Sequence, residues 1–331
     1  MKSGSDCNTP ADVLYIGIDV SKDTLAVNAA EVFTATIKNN KRDIYKMVRT
    51  VRKTIGRERP ILFVFENTGR YSLPLLLELD KLGEKAHVAN AARVRYFAKA
   101  IGVGAKTDPV DATVIRRYGE KTTPEPTPIP SDSLLILKEL FRTRALLVKI
   151  NSMIRNLADA TSGKLCRDIL RDIVRLIDRR LAKISDEMDD VISENETMRE
   201  MSDALTGIVG VGKTTAAAVL AGCPEIGTLG KRRIVSIFGL APFVRQSGKW
   251  QGKACIGGGR SDVRRCLYLP ALSAAKRNPV LKVFYDRLIA RGKPANVAIV
   301  AVMRKLLIHM ESVAASVLEK RQSKENSLCA M

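Results

Sequence analysis

Apolar and polar positions along the first forty residues follow a strand period. LYIGIDVS (14–21) is read as an apolar run ending in Asp19. DTLAVNAA (23–30) and EVFTATIKN (31–39) follow with β-branched alternation and short polar breaks. Connections this short predict an antiparallel meander. The period then changes to that of a basic amphipathic helix over roughly 41–56. PILFVFENTG predicts a buried strand over 60–66 that ends on Glu66. SLPLLLELDKLG reads as a helix, KAHVANA as a strand and AARVRYFAKAIG as a helix; KTDPVDATVIRRYGEK continues as a helix starting near Asp108. A meander followed by β-α-β-α suggests an α/β domain over 10–123, a mixed sheet covered by helices.

PEPTPIPS (124–131) is a Pro-rich break and the first domain boundary. Beyond it the pattern is helical to about residue 200. Its second helix carries a heptad, with Val174, Leu181 and Met188 at one core position and Leu170, Ile177, Ile184 and Val191 at the other. Two arrangements bury that stripe: an antiparallel hairpin packed on itself, or a dimerising coiled coil. The expected organisation continues with this helical segment over 132–197, a mainly α C-terminal domain over 198–320 and a tail over 321–331.

Charge narrows the partner. The chain has 55 Lys and Arg against 35 Asp and Glu, a net charge of +20. It is uneven: Lys231 to Lys293 holds 15 basic residues and only Asp262 and Asp286 as acids. Such a field attracts polyanions, and nucleic acid fits better than an anionic membrane because the basic region is not one amphipathic helix. No apolar run approaches the roughly 18–20 residues that span a bilayer, and MKSGSDCNTPADV has no secretory apolar stretch, so a cytoplasmic protein with no membrane partner is expected. Cys7, Cys166, Cys223, Cys255, Cys266 and Cys329 are scattered, and the histidines are His87 and His309. That is no zinc ligand set, so any metal should sit on carboxylates, as the hard cation Mg²⁺ (or Mn²⁺) does.

TGIVGVGKTT (206–215) spells the phosphate-binding loop G-x-x-x-x-G-K-T. A true loop of that kind follows a buried strand; here SENETMREMSDALT precedes it, charged and rich in helix formers. The expected form is therefore a helix-hairpin-helix-like turn without ATP. Its glycines and Lys213 suit a backbone phosphate of DNA, and a plain turn between helices is the simpler alternative.

Four carboxylates carry the candidate chemistry. Asp19 and Glu66 end strands that a twisted sheet can bring together, while Asp108 and Asp111 lie three apart on one helix face. Taken alone, Asp108-Pro109 is a good helix start, and Asp111 suits the positive helix end. Taken as a set in a strongly basic chain, the acids point to a nuclease-type site in which metal ions offset their repulsion.

IGIDVSK, FENTGRY and KTDPVDA, in that order, resemble the DEDD transposases of bacterial insertion sequences, the insertion-sequence 110 family related to the pilin-gene invertases. LTGIVGVGKTTAAAVLA, FGLAPFVRQSGKWQGK and GGGRSDVRRCLYLPALSAA extend the likeness over about 13–310. The resemblance implies an RNase H-like (RuvC-like) N-terminal domain with Asp19, Glu66, Asp108 and Asp111 as its metal-binding tetrad. It also implies a C-terminal domain whose catalytic serine matches Ser247 in RQSG. It further implies a cytoplasmic, nucleoid-associated recombinase acting on DNA with a noncoding guide RNA of its element, as a dimer or tetramer whose active sites are shared between subunits.

Read from the residues, Ser-Gly is ordinarily a turn, and no histidine stands near Ser247 to act as base. The basic residues around it, Arg245, Lys249, Lys253, Arg260, Arg264 and Arg265, are candidates for phosphate contacts. Trp250 could stack on a base or fill the core, and the core is favoured. The reading that unites these features is a metal-dependent DNA transposase with a serine nucleophile. A RuvC-like nuclease without a covalent intermediate and a non-catalytic nucleic-acid-binding protein are the alternatives.

Overall fold

The computed structural model describes residues 13–69, 71–103, 108–244, 246–247, 250–252 and 254–329; the side chains of residues 108, 109, 246, 247, 250, 251, 328 and 329 are outside the description. The chain divides after Ile129 into two compact units.

In the first unit, β1 (Leu14–Val20), β2 (Thr24–Asn28) and β3 (Thr34–Lys38) form the meander, and β4 (Ile61–Glu66) and β5 (Lys85–Ala89) extend it on the other side. The strand order is β3-β2-β1-β4-β5. β1 runs antiparallel to β2 and parallel to β4, so the sheet is mixed. Between the strands lie α1 (Lys41–Ile55), α2 (Ser72–Lys81), α3 (Ala91–Ala100) and α4 (Asp108–Thr122). Asn40 starts α1 by accepting the Asp43 amide through its side chain, and Ile44, Met47, Val48 and Val51 give that helix its buried stripe. The Pro-rich stretch after α4 runs beside β5: the Thr127 amide donates to the Ala86 carbonyl at 2.8 Å, and the Val88 amide donates to the Thr127 hydroxyl at 2.8 Å. That covers what would otherwise be a bare sheet edge.

Strand alternation assigns the two faces. Leu14, Ile16, Ile18 and Val20 pack with Ile61, Phe63 and Phe65 against α1 and α2. Leu62 and Val64 pack with Val94, Val114, Ile115 and Tyr118 against α3 and α4, with Tyr15 beside them. Gly17 and Asp19 share the Tyr15 face by the period of two. Gly17 has no side chain for a steric reason: a Cβ there would run into the Ala112 carbonyl and the Arg116 amide of α4. Arg116 ties the helix further, its Nε donating to Asn28 Oδ1 at 2.7 Å at the end of β2 and its guanidinium pairing with Glu120.

Among the described residues, the second unit is helical apart from one small hairpin. α5 (Asp132–Ala160) and α6 (Lys164–Glu194) pack antiparallel, joined across the pair by Asn151–Asp178 and Arg144–Ser185 side-chain hydrogen bonds. The predicted heptad faces inward, Ile177, Met188 and Val191 being buried, so the chain satisfies that stripe within its own hairpin. α7 (Glu196–Thr206), α8 (Lys213–Gly222) and α9 (Gly230–Ile237) follow; then come the hairpin β6 (Gln246–Ser247) and β7 (Trp250–Gln251), α10 (Ser261–Cys266), α11 (Tyr268–Arg277), α12 (Pro279–Ala290) and α13 (Ala295–Cys329). α8 and the apolar side of α13, from Ile299 to Ala314, sit in the core. No helix among the described residues is long and apolar enough to cross a membrane.

Glu311 is the acid in that core, 3% exposed. Its carboxylate accepts the backbone amides of Gly227, Leu229 and Gly230 at 2.8, 2.8 and 2.6 Å, so amides at the start of α9 compensate the buried charge.

Replacing Gly17 by alanine is expected to destabilise the first unit by at least about 2 kcal/mol, because backbone rather than a flexible side chain occupies the space. Urea unfolding followed by far-ultraviolet circular dichroism checks this; an unchanged midpoint would mean that α4 is not seated on β1 as described.

Candidate active site and basic surface

The backbone positions of the candidate acids lie toward one end of the sheet. The β1–β4 register runs from Leu14 beside Ile61 to Ile18 beside Phe65. One further step sets Asp19 beside Glu66 on adjacent strands, which lie about 4.8 Å apart. Both side chains take the face covered by α3 and α4, and both residues are half-buried.

The height of α4 follows from its contacts. Gly17 meets Ala112 and Arg116, whereas Gly119 lies against the Tyr15 ring and Val64, where an added Cβ would come within 2.9 Å of each. The helix therefore runs opposite to β1, and its N-terminus points toward the end of the strand that carries Asp19. Two strand residues advance about 6.6 Å and a helix about 1.5 Å per residue, so the level of Asp19 falls roughly four or five residues before the Gly17 contact, between Asp108 and Asp111. The backbone thus brings all four acid positions to one end of the fold. Asp111 is half-buried, and the side chain of Asp108 lies outside the described residues.

Among the described residues, no three His, Cys, Asp or Glu side chains are grouped so as to enclose a metal ion. Mg²⁺ does not require such a cage: it keeps several waters and takes one or two carboxylates together with substrate phosphate oxygens. Asp19 and Glu66 supply hard oxygen donors of that kind. Two residues past Glu66, the Thr68 hydroxyl oxygen is buried and makes no hydrogen bond within the described residues, which marks this end of the sheet as polar and incompletely satisfied by protein alone. The donor set fits the divalent cation that the carboxylate pattern implies.

In the second unit, Ser247 stands in β6 opposite Trp250 in β7. The base of this hairpin is closed by Phe243 and Cys255, which exchange backbone hydrogen bonds of 2.8 and 3.2 Å. Arg245, Lys249, Lys253 and the side chains of Ser247 and Trp250 lie outside the described residues. The remaining candidate cations divide into two kinds. Arg265 is exposed and loosely paired with Asp262 at 3.6 Å. Lys213 is exposed at the start of α8, 3.5 Å from Asp189. Arg260 and Arg264 have internal partners instead. Arg260 makes a forked pair with Glu225 at 2.7 and 2.8 Å and donates to the Gly222 carbonyl at 2.8 Å. Arg264 Nη1 donates to the Phe238 and Gly258 carbonyls at 3.0 and 2.6 Å. The loop just before Lys213 joins α7 to α8, so a helix precedes it where a nucleotide-hydrolase loop would have a strand.

Cys223 and Glu225 are both displaced from their ordinary values. Burial, followed by the Glu225 charge, pushes the Cys223 thiol up to about 12, which leaves it protonated and inert as a nucleophile. Burial also pushes Glu225 upward, but the hydrogen bonds from Arg260 and its own backbone and the Arg260 charge outweigh it and hold the carboxyl at about 2.

Sequence reasoning missed Glu225, whose partner is 35 positions away with no local pattern to link them. Glu311 did leave a signal: it shares the buried phase of Leu307, Met310 and Ala314 on α13.

The folded pKa of Glu225 is depressed, so its stabilising contribution is present above its ordinary value of 4.5 and is lost as the pH falls toward about 2. The stability advantage of the native protein over Glu225→Gln is expected to shrink across that window. Urea midpoints of the two proteins measured between pH 6 and pH 3 (about the accessible range for such a titration) test it, and a constant difference would contradict it.

A transposase model for the DEDD domain of the IS110 group matches residues 16–158, and a model described as "Transposase IS116/IS110/IS902 family" matches residues 202–286. A pilin gene-inverting protein of Moraxella bovis is 26% identical over 302 residues, covering 88% of this chain and 93% of the relative. The pilin gene-inverting protein of Moraxella lacunata is 26% identical over 300 residues with the same coverage. An IS110 insertion-element protein of Streptomyces coelicolor is 32% identical over 108 residues, 32% of this chain and 26% of the relative. The first model spans Asp19, Glu66, Asp108 and Asp111 and the second spans Ser247, and the chain belongs to the IS110 family of transposases, enzymes of DNA recombination.

Proposed function

We propose that the protein is a DNA transposase that cuts and rejoins strands through a phosphoserine link at Ser247, assisted by a divalent cation on the acids of the RuvC-like first unit. What supports the metal half is that the β1–β4 register and the seat of α4 carry the backbone positions of Asp19, Glu66, Asp108 and Asp111 toward one end of the sheet. Asp19 and Glu66 would hold the ion, with Asp108 and Asp111 at the start of α4 as the further ligands that the resemblance implies. The bound cation, Mg²⁺ or Mn²⁺, would supply Lewis-acid stabilisation of charge on the phosphate oxygens.

Ser247 would attack the phosphorus of one strand. Its oxygen forms a new ester bond, the bond from phosphorus to the departing strand oxygen breaks, and the hydroxyl proton ends on that departing oxygen. The number of phosphoester bonds is unchanged, so reversal with a different strand reseals DNA without ATP. Arg265 and Lys213 are exposed cations suited to hold the backbone, with Arg245, Lys249 and Lys253 as further candidates beside the serine. The resemblance supports a noncoding RNA as guide and sites shared between subunits of a dimer or tetramer. Exposed apolar side chains on the α5–α6 hairpin, Leu146, Met153, Leu157, Leu165 and Ile169, support self-association there.

Trapping tests the reading. Protein, Mg²⁺, the flanking noncoding RNA and labelled element-end DNA are mixed and denatured, and the adduct peptide is mapped. An adduct at Ser247 is expected, absent in Ser247→Ala and reduced at least about 100-fold in Asp19→Ala. Cleavage that persists in Ser247→Ala without any adduct would instead establish a hydrolytic RuvC-like nuclease.

A further inference from the structure

We propose that Arg260 and Arg264 are positioning residues that pin the Ser247 hairpin to the helical core, rather than contacts to nucleic-acid phosphate. This deepens the serine reading and rests on it for its link to catalysis. The hairpin leaves α9 through Phe238–Ala241 and returns through Gly257–Gly259 into α10. These two connections interlock by backbone. A Cβ on Gly259 would strike the Gly239 amide and the Ile237 carbonyl, and one on Gly239 would strike the Gly258 carbonyl. The Arg260 amide donates to the Ile237 carbonyl at 2.8 Å. Arg264 Nη1 then bridges both connections, reaching Phe238 on the outgoing side and Gly258 on the returning side.

Arg260 fastens the same crossing to the loop after α8. Its fork on Glu225 fixes two donors in one plane, and its bond to the Gly222 carbonyl serves the end of α8. That loop is itself held by Glu311 of α13, which takes the Gly227, Leu229 and Gly230 amides. A continuous set of charge-assisted bonds therefore runs from α13 to the crossing from which the hairpin emerges. An arginine that serves phosphate needs its donors facing solvent. Here those of Arg260 are aimed at a carboxylate and a carbonyl, and its side chain is partly covered, 38% exposed.

Three measurements separate the two roles. Glu225→Gln leaves both arginines in place and removes the partner of one; Arg260→Gln removes the other half of the pair. For a pin, both variants should speed hydrogen exchange at the Phe243 and Cys255 amides by about tenfold or more. Both should slow adduct formation at saturating DNA by a similar factor, and the slope of log affinity against log salt should stay as in the native protein. For a phosphate contact, Arg260→Gln should lower the magnitude of that slope by about 0.9, while Glu225→Gln should leave exchange and adduct rate untouched and bind DNA no worse. That second pattern overturns the proposal. The exchange measurement requires no chemistry at Ser247. It decides the pinning even where wild-type protein forms no serine adduct, a result that would remove the serine reading alone. Should Arg260→Gln not fold, Glu225→Gln carries the same decision.

Discussion

The seat of α4 on β1 is the contact on which the arrangement of acids depends. It is made by backbone against backbone, because Gly17 leaves no room for any side chain between the strand and Ala112 or Arg116. Such a contact has little freedom to slide, unlike one made through long side chains. Tyr15 and Val64 against Gly119 fix its lower end, and Arg116 on Asn28 fixes its rotation. The apolar contacts of Val114, Ile115 and Tyr118 hold the pair together, each burial contributing roughly 1.5–3 kcal/mol. The level of the helix N-terminus relative to Asp19 is a consequence of these few contacts.

The second unit solves a different problem. A strongly basic segment must keep its own charges from repelling the fold apart while presenting some of them to nucleic acid. It does so by sorting them. Arg260 is absorbed by Glu225 and Arg264 by main-chain carbonyls, whereas Arg265 and Lys213 stay exposed. Charge counted along the sequence therefore overstates what a phosphate backbone would meet. The buried Glu311 contributes to the same economy by neutralising amide dipoles instead of a cation.

Much of this was legible beforehand. Hydrophobic period placed the strands and helices of the first unit, and the mixed sheet followed from a meander succeeded by β-α-β-α. Those signals are local, carried by neighbouring residues. The heptad of α6 was also legible, yet period alone does not name the partner of an apolar stripe; α5 supplies it within the chain. What was not legible depends on distant pairs. Nothing near Arg260 in sequence distinguishes a guanidinium that forks onto Glu225 from one that meets phosphate. Likewise Gly17 reads as an ordinary interruption in IGIDVSK until the helix that crosses it is known. Asp108 and Asp111 carried two readings, helix start and metal ligand. The structure shows that these are compatible, since the start of α4 is the part of the helix that reaches the level of Asp19.

Whether α4 delivers its acids to Asp19 and Glu66 to form one cation site is decided by metal binding without DNA. Mn²⁺ bound to the purified protein is counted by electron paramagnetic resonance, comparing native protein with Asp19→Asn, Asp111→Asn and a remote control, Asp286→Asn. With one shared site, both site variants are expected to weaken Mn²⁺ binding by about tenfold or more while the control does not. Native-like binding in Asp111→Asn together with loss in Asp19→Asn would show that the helix acids do not belong to the site, and equal binding in all variants would contradict a shared site outright.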